Sequence, residues 1–216
     1  MVVATRQNSN ILSSGRLLDE TIAKKAIESA ISLGAEYAEL RLVSETTNSV
    51  TLKDGKLERA IPGQEVGLTM RILADGAWGV HSTSDVSSIV SQVESTVKLA
   101  RAVASRRPTN QPAVGLAEVP IIEDEIHWKS QKDVRDTDLQ TRIDLMLAID
   151  NEAKDHEKIV STSTGWSDEH IHTELVTSEG MNRVWSFQRS LIHGMVTARD
   201  ESGVVSYRTR HGGEGG

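Results

Sequence analysis

The feature that most constrains the fold is an alternation of apolar and polar residues, interrupted by Asp-Gly pairs. Between residues 36 and 80 apolar side chains recur at every second position, as at Val50 and Leu52. Asp54-Gly55 and Asp75-Gly76 lie between such runs. Asp-Gly is favoured in tight hairpin turns because both central residues there need a positive φ. The pattern predicts a meander of short antiparallel strands.

A second meander is predicted near the carboxyl end. We expect Pro62-Gly63 to break the first meander, and Glu179-Gly180 and Ser202-Gly203 to separate strands of the second. A further short strand is expected at Val119 to Ile122. The predicted strands of the second meander are 159–166, 170–177, 181–187, 191–198 and 204–208.

Three segments carry the helical period instead. The first runs from Leu18 to Leu33 and is followed by Gly34, a residue suited to a helix end. The second begins after Asp85, a plausible N-cap, and continues to Ala104. A capping box formed by Thr137 and Gln140 opens the third, which carries Leu139, Ile143, Met146, Ile149 and Ala153. The fold class is therefore α+β, with antiparallel β-meanders covered by helices on one face.

The chain is expected to be organised as a single large domain. Residues 1–16, rich in Ser and Asn, are predicted to be a flexible tail. Residues 17–210 form the domain, with a first lobe at 17–104, a proline-bearing crossing at 105–132 and a second lobe at 133–210. Residues 211–216 are interpreted as a Gly-rich linker to a catalytic domain absent from this sequence, the alternative being a frayed natural terminus.

Composition excludes several classes of function. A net charge of −7 argues against a nucleic-acid partner, because such proteins usually present a basic face to phosphates. There are no cysteines, which removes disulfides and thiolate ligands from consideration. The polar start and the lack of a long apolar run predict neither a signal peptide nor a membrane span. We expect a cytoplasmic protein with no membrane partner.

No motif in these residues specifies an active site. His156-Glu157 begins a zincin motif, but Val160 and Ser161 stand where the second histidine would be needed. His170 and His172 would share a strand face and are metal-ligand candidates, although a polar strand face gives the same pattern without a metal. Nucleophile-elbow and phosphate-loop motifs do not occur in this sequence. We assign no catalytic residue and no cofactor to this chain.

Residues 34–86 carry a family resemblance. The features are the Ala-Glu-Leu-Arg strand at 38–41, the Lys-Asp-Gly-Lys-Leu-Glu hairpin at 53–58 and the stretch from Val66 to Gly79. Thr177-Ser-Glu-Gly180 and the terminal His-Gly-Gly-Glu-Gly-Gly are looser matches. Together they resemble the amino-terminal region of the TldD/PmbA family, formerly labelled modulators of DNA gyrase.

The resemblance implies a zinc metallopeptidase that acts on peptides or unfolded proteins. The zinc motif of the family, His-Glu-x-x-x-His, is not present in this sequence, so zinc is expected in the missing carboxy-terminal half. The chain is then a substrate-cleft and dimerisation domain, inactive by itself, in a homo- or heterodimer with a family member. The alternatives are a stand-alone protein-binding module, a catalytically inert partner subunit and direct modulation of gyrase or DNA. The net negative charge of the chain argues against direct modulation of gyrase or DNA.

The Asp75 to Gly79 segment has two interpretations. As a functional element, its hairpin would bring Asp75, Trp78 and the nearby Arg71 to the substrate or the partner subunit. As a structural element, Asp-Gly makes the turn, Trp78 offers a large packing surface and Gly79 permits a close backbone approach.

Overall fold

The computed structural model describes residues 16–214, so the predicted tail lies outside the described residues except for Arg16. Two short 3-10 helices span Val86–Gln92 and Val134–Asp136. The three α-helices are α1 (Glu20–Ser32), α2 (Val93–Ser105) and α3 (Leu139–Lys154). The strands are β1 (Tyr37–Lys53), β2 (Lys56–Ala74), β3 (Ala77–Thr83), β4 (Glu123–His127), β5 (Ile159–Thr177), β6 (Asn182–Asp200) and β7 (Gly203–Gly213).

The strands form one seven-stranded sheet with the order β3-β2-β1-β5-β6-β4, and β7 pairs with β6. Hairpins β2–β3 and β6–β7 are antiparallel, with Ile72 opposite Gly79 in the first and Val196 opposite Tyr207 in the second. The predicted α+β class built on antiparallel strands is confirmed. None of the helices within residues 16–214 is long and apolar enough to cross a membrane.

The chain forms two compact units that are interleaved along the sequence. Strands β1, β2, β4, β5 and β6 each contribute residues to both units, whereas the predicted lobes 17–104 and 133–210 are contiguous. Within residues 16–214, the first unit comprises 16–43, 66–125 and 173–184, and the second comprises 44–65, 126–172 and 185–214.

The core of the first unit lies between α1, α2 and the sheet. α1 buries a stripe of small residues, Ala23, Ala26 and Ala30, which lets the helix pack closely on the strands. Its start is capped by the carboxylate of Asp19, and its end by Gly34 at a φ of 85°. The predicted end of this helix before Gly34 is confirmed, and the helix begins at Glu20, two residues after the predicted Leu18.

The core of the second unit is smaller and lies under α3. Val50 and Leu52 of β1 and Met146 of α3 are fully buried there. Ile143 of α3 and Trp166 of β5 pack against them while remaining partly exposed.

The two Asp-Gly turns have the geometry that the sequence predicts. Asp54 and Gly55 have φ values of 51° and 80°, and Asp75 and Gly76 have values of 52° and 69°. In each turn a carboxylate accepts the glycine N–H. Asp150 accepts from Gly55 at 2.6 Å, and Glu36 accepts from Gly76 at 2.9 Å.

The strands are longer than predicted. The prediction that Pro62-Gly63 ends a strand is wrong, since β2 runs through both residues. β3 pairs with β2 only from Leu68 to Ala74. At Pro62 no hydrogen bond to β3 is required, so a residue without an N–H is tolerated there. β5 and β6 each join two of the predicted strands into one.

Several boundaries also differ from the predictions. β4 begins after residue 122, where the predicted short strand ends. The cap of α3 is Asp138 and not Thr137, because the Asp138 carboxylate accepts the Thr141 N–H at 2.8 Å. The helix predicted after Asp85 opens as a 3-10 helix before α2. His211, Gly212 and Gly213, assigned to a linker, are the last residues of β7.

Candidate functional site

Arg71 and Trp78 lie side by side in the first unit. They occupy paired strands, and the Arg71 guanidinium carbon is 4.3 Å from the centre of the Trp78 ring. Arg71 also forms an ion pair with Glu39 at 3.0 Å. The edge of Tyr37 meets the Trp78 ring at a centroid distance of 5.9 Å. Burial, followed by the neighbouring Glu39, raises the pKa of the Tyr37 hydroxyl well above its ordinary value.

Asp75 supports the tip of the β2–β3 hairpin, and segments from the crossing region hold that tip in place. The Arg107 guanidinium donates to the carbonyl oxygens of Asp75 and Gly76, and the Val114 N–H donates to that of Gly76. The Asp75 carboxylate is exposed, 3.7 Å from Arg101. The contacts described here for Arg71, Asp75 and Trp78 are made to other residues of the first unit and hold the β2–β3 hairpin together. A role of these residues toward substrate or a partner subunit stays a prediction.

His170 and His172 are both buried in the second unit, each with 9% of its surface exposed. Burial lowers the pKa of His170, and the positive charge of Arg135 acts in the same direction. His172 and His127 lower it further, whereas Asp133 opposes them. His170 is therefore held as a neutral imidazole near neutral pH.

These histidines do not assemble a metal site. Within residues 16–214 no group of three or more His, Asp or Glu side chains is arranged to hold a metal ion. Glu174, the carboxylate next in sequence on the same face, accepts the backbone N–H groups of Leu17 and Leu18 in the first unit. The described donors thus do not fit the zinc that the family resemblance implies.

The second unit contains a buried ion pair that was not predicted from the sequence. Arg142 and Asp168 have side chains that are 1% and 0% exposed, and their Nε and Oδ2 atoms are 2.5 Å apart. Asp168 also accepts from the Trp166 indole at 2.7 Å and the Asn48 amide at 2.9 Å. The Arg142 guanidinium donates to two backbone carbonyls, at Val134 and Thr137. The available signal was Arg142 falling on the apolar stripe of its predicted helix.

A groove of about 610 Å³ lies in the second unit, along residues of β1, β5, β6 and β7. Small hydroxyl side chains line much of it, among them Thr47, Ser49 and Ser167. Glu169 and Arg189 form an ion pair at 2.5 Å in this groove, with Arg189 61% exposed. Its lining residues contain no pairing of acid, base and nucleophile.

Two family models match the chain in sequence order, and both describe metallopeptidase domains. "PmbA/TldA metallopeptidase domain 1" matches residues 38–104, and "PmbA/TldA metallopeptidase central domain" matches residues 132–216. Together they cover most of the chain, in the order that the family architecture requires. The chain belongs to the PmbA/TldD metallopeptidase family.

Curated relatives carry the same description. A metalloprotease from Methanothermobacter thermautotrophicus is 26% identical over 181 residues, which is 84% of this chain and 38% of that protein. A metalloprotease from Methanocaldococcus jannaschii is 25% identical over 190 residues, which is 88% of this chain and 41% of that protein. The chain thus spans about two fifths of the length of these relatives.

Solved structures share the fold. A protein from Thermotoga maritima, described as a modulator of DNA gyrase, superposes with a TM-score of 0.70 at 15% identity, covering 90% of this chain and 43% of its own. One of the same description from Bacteroides thetaiotaomicron gives 0.68 at 19% identity, with coverages of 90% and 44%. TldE from Thermococcus kodakarensis gives 0.69 at 12% identity, with coverages of 89% and 43%.

Proposed function

We propose that this chain is the amino-terminal, non-catalytic part of a PmbA/TldD-type zinc metallopeptidase that acts on peptides or unfolded proteins. The observation that carries the proposal is the succession of domain 1 and central-domain matches in a chain that spans 38% and 41% of two metalloproteases. The zinc ligands and the catalytic base then belong to polypeptide outside this sequence. We also propose that the protein is cytoplasmic.

The role proposed for the described residues is to line the substrate cleft. The groove of the second unit supports this role, since it runs along four strands and carries hydroxyl side chains and one ion pair. Small hydroxyl groups and one ion pair make few demands on side-chain identity, which suits a cleft that accepts varied peptides. A contribution to a dimer with a family member is part of the same proposal.

The test compares the purified 216-residue chain with the longer protein encoded by the same gene. We expect the chain alone to bind no stoichiometric zinc and to leave an unfolded casein substrate intact. The longer protein is expected to bind zinc and to cleave the casein. Metal content is measured by mass spectrometry and cleavage by peptide release. Zinc bound one to one by the chain alone, lost in a His170→Ala/His172→Ala variant, would falsify the proposal.

Dimer formation is tested separately by light scattering after size exclusion. We expect the longer protein to form a dimer with itself or with a co-expressed family member. A monomer under both conditions would contradict the dimerisation role while leaving the peptidase assignment to the zinc and cleavage assays.

A further inference from the structure

Residues 128–137 form a strap in the second unit, between the end of β4 and the start of α3. The strap begins beside β6, where the Trp128 N–H donates to the carbonyl oxygen of Ser186 at 3.0 Å. Val134 is the single buried residue of the strap, and most of the others are exposed. One buried valine contributes only about 1.5–3 kcal/mol of hydrophobic stabilisation, so other contacts must hold the segment in place.

Two buried polar side chains hold the strap on the unit. Gln188 of β6, 3% exposed, accepts the Val134 N–H at 3.0 Å and donates to the Lys132 carbonyl oxygen at 2.6 Å. The Arg142 guanidinium of α3 donates to the carbonyl oxygens of Val134 and Thr137. A segment with few buried apolar contacts can open locally at a lower free energy than the whole domain unfolds.

The strap also brings charges to the buried imidazole of His170. Arg135 and Asp133 both act on His170 electrostatically, in opposite directions. These two strap residues pair with each other at 2.6 Å, so the Asp133 carboxylate is already engaged. His172 on the same strand and His127 of β4 add positive charge when they are protonated.

The nearest carboxylate on β5 is engaged as well. Asp168 lies two residues before His170 on the same face of the strand, and it is paired with Arg142 of α3. A proton added to His170 in the folded chain therefore meets the cation of Arg135 and two carboxylates that arginines already neutralise. Protonation of this imidazole and closure of the strap oppose each other.

We propose that the strap is an acid-sensitive closure, and that protonation of His170 releases residues 128–137 from β5 and β6 while the rest of the unit stays folded. Opening brings the imidazolium into water and exposes buried polar side chains, Gln188 among them. The open state binds the proton more readily than the closed state, so opening is favoured as pH falls through about 6.5. The proposal goes beyond the peptidase assignment and does not depend on it.

Hydrogen exchange followed by mass spectrometry tests the proposal on the full 216-residue chain at pH 7.5 and 5.5. After correction for the pH dependence of chemical exchange, the remaining change reports opening. We expect the amides of Trp128 and Val134 to lose protection by up to about tenfold. That is the limit for one imidazole with the ordinary pKa of 6.5 in the open state.

Low concentrations of urea separate local opening from global unfolding. Local opening exposes little surface, so exchange of the strap amides should hardly respond to urea, whereas exchange at the buried Val50 and Leu52 should accelerate. The same urea dependence at both sets of amides would show that the strap opens only when the whole chain unfolds, and would refute the proposal.

Three variants test the role of His170. His170→Gln removes the titrating group and should abolish the acid-dependent loss of protection. Arg135→Gln, at a side chain that is 53% exposed, leaves Asp133 free to pair with the imidazolium and should reduce the loss. Lys132→Gln is the matched control, because it removes the same charge from an exposed strap residue that is not among the charges acting on His170. It should open in acid as the parent chain does.

An unchanged loss of protection in His170→Gln overturns the proposal, and so does a parent strap that does not respond to pH. If His170→Gln does not fold, the comparison of Arg135→Gln with Lys132→Gln decides, and equal acid responses in those two variants refute the role of His170. The zinc and cleavage assays judge the peptidase assignment independently.

Discussion

Arg142 lies on the buried face of α3, where the sequence pattern leads one to expect only apolar residues. Its guanidinium is satisfied by Asp168 and two backbone carbonyls, and Asp150 on the same helix accepts from the hydroxyls of Thr162 and Thr164 at 2.9 and 3.1 Å. Buried charges of this kind persist when each of their hydrogen-bonding groups has a partner. Ionised side chains thus take the place of a larger apolar core in the second unit.

Asp168→Asn is expected to destabilise the chain strongly. The substitution preserves shape but leaves the Arg142 charge without its counterion in the interior. Breaking a buried pair on one side costs about 3–5 kcal/mol in the free energy of unfolding. Urea denaturation measures the loss, with Glu94→Gln as control.

Glu94 is the control because it forms an exposed pair with Lys98, with side chains 65% and 72% exposed. Loss of such a pair costs about 0–1 kcal/mol. Similar losses in the two variants would mean that the Arg142–Asp168 pair is not a buried ion pair in solution.

His170 is expected to make the chain less stable in mild acid. Burial, Arg135, His172 and His127 lower its pKa below the ordinary 6.5, and Asp133 only partly offsets them. The unfolded chain therefore binds a proton at His170 more readily than the folded chain does. As pH falls through about 6.5, preferential protonation of the unfolded chain at His170 lowers the free energy of unfolding. Well above that pH the effect vanishes, because His170 is neutral in both states.

The measurement is urea denaturation of the parent chain and of His170→Gln at pH 7.5 and 5.5. The parent should lose more stability on acidification than the variant, because only the parent has the His170 imidazole. This window lies above the lowered pKa of Asp133, so that carboxylate stays ionised throughout. An identical pH response in both proteins would remove His170 as the cause.

At the level of elements, the sequence specified turns and helix ends better than strand lengths. Asp54-Gly55 and Asp75-Gly76 were predictable because few residue pairs accept two successive positive φ values. Local rules predict a break at Pro62-Gly63, yet β2 continues, because β3 pairs only from Leu68 onward and leaves Pro62 at an edge where a missing N–H is tolerated. Strand length depends on which neighbour is present at each position, and that is a property of the sheet.

For the candidate site, too, local features could be predicted from the sequence, whereas contacts between residues distant in sequence could not. Trp78 was expected to anchor its hairpin, and the structure places it against Arg71 and Tyr37. The Arg142–Asp168 pair was not predicted, since its two members are 26 residues apart in sequence and only Arg142 carries a local sign of burial, its place on the apolar stripe of its helix. Identification of the family depended on motifs, not on any constellation of reactive side chains.

The packing of β3 against α2 depends on Gly79. A Cβ at this position would lie 2.2 Å from the carbonyl oxygen of Thr96 and 3.0 Å from the backbone nitrogen of Ala100. Gly79→Ala must therefore push the helix away from the strand, and we expect a loss of about 3 kcal/mol, at the upper end of overpacking costs.

Gly67→Ala is the matched control, because it makes the same change in β2 and its Cβ would meet no atom within 4 Å. It should be neutral or slightly stabilising, since alanine restricts the unfolded chain. Thermal denaturation compares the two variants. Equal melting temperatures would show that α2 does not press on β3 as closely as described.

For the molecule as a whole, the main fact is that five strands contribute residues to both compact units. A strand is continuous backbone, so disorder in the part of a strand that belongs to one unit can spread along the chain to the part that belongs to the other. We therefore expect one cooperative unfolding transition. Circular dichroism and tryptophan fluorescence should give coincident urea curves, although three of the four tryptophans, Trp128, Trp166 and Trp185, lie in the second unit.

Introducing Gly79→Ala into the first unit sharpens this test. The tryptophan transition, dominated by the second unit, should shift to lower urea together with the circular dichroism transition. If the fluorescence curve kept its midpoint while the dichroism curve split into two steps, the units would unfold independently.

The carboxylates that accept the glycine N–H groups of the two turns also affect chemical ageing. Asp-Gly sequences isomerise when the glycine nitrogen loses its proton and attacks the carboxyl carbon of the aspartate side chain, which closes a succinimide ring and releases water; hydrolysis of that ring then gives isoaspartate. Asp150 and Glu36 hold those protons in hydrogen bonds at Gly55 and Gly76. The fold thus protects the two linkages that would otherwise be the most prone to rearrange into isoaspartate, and unfolding would expose both to this damage.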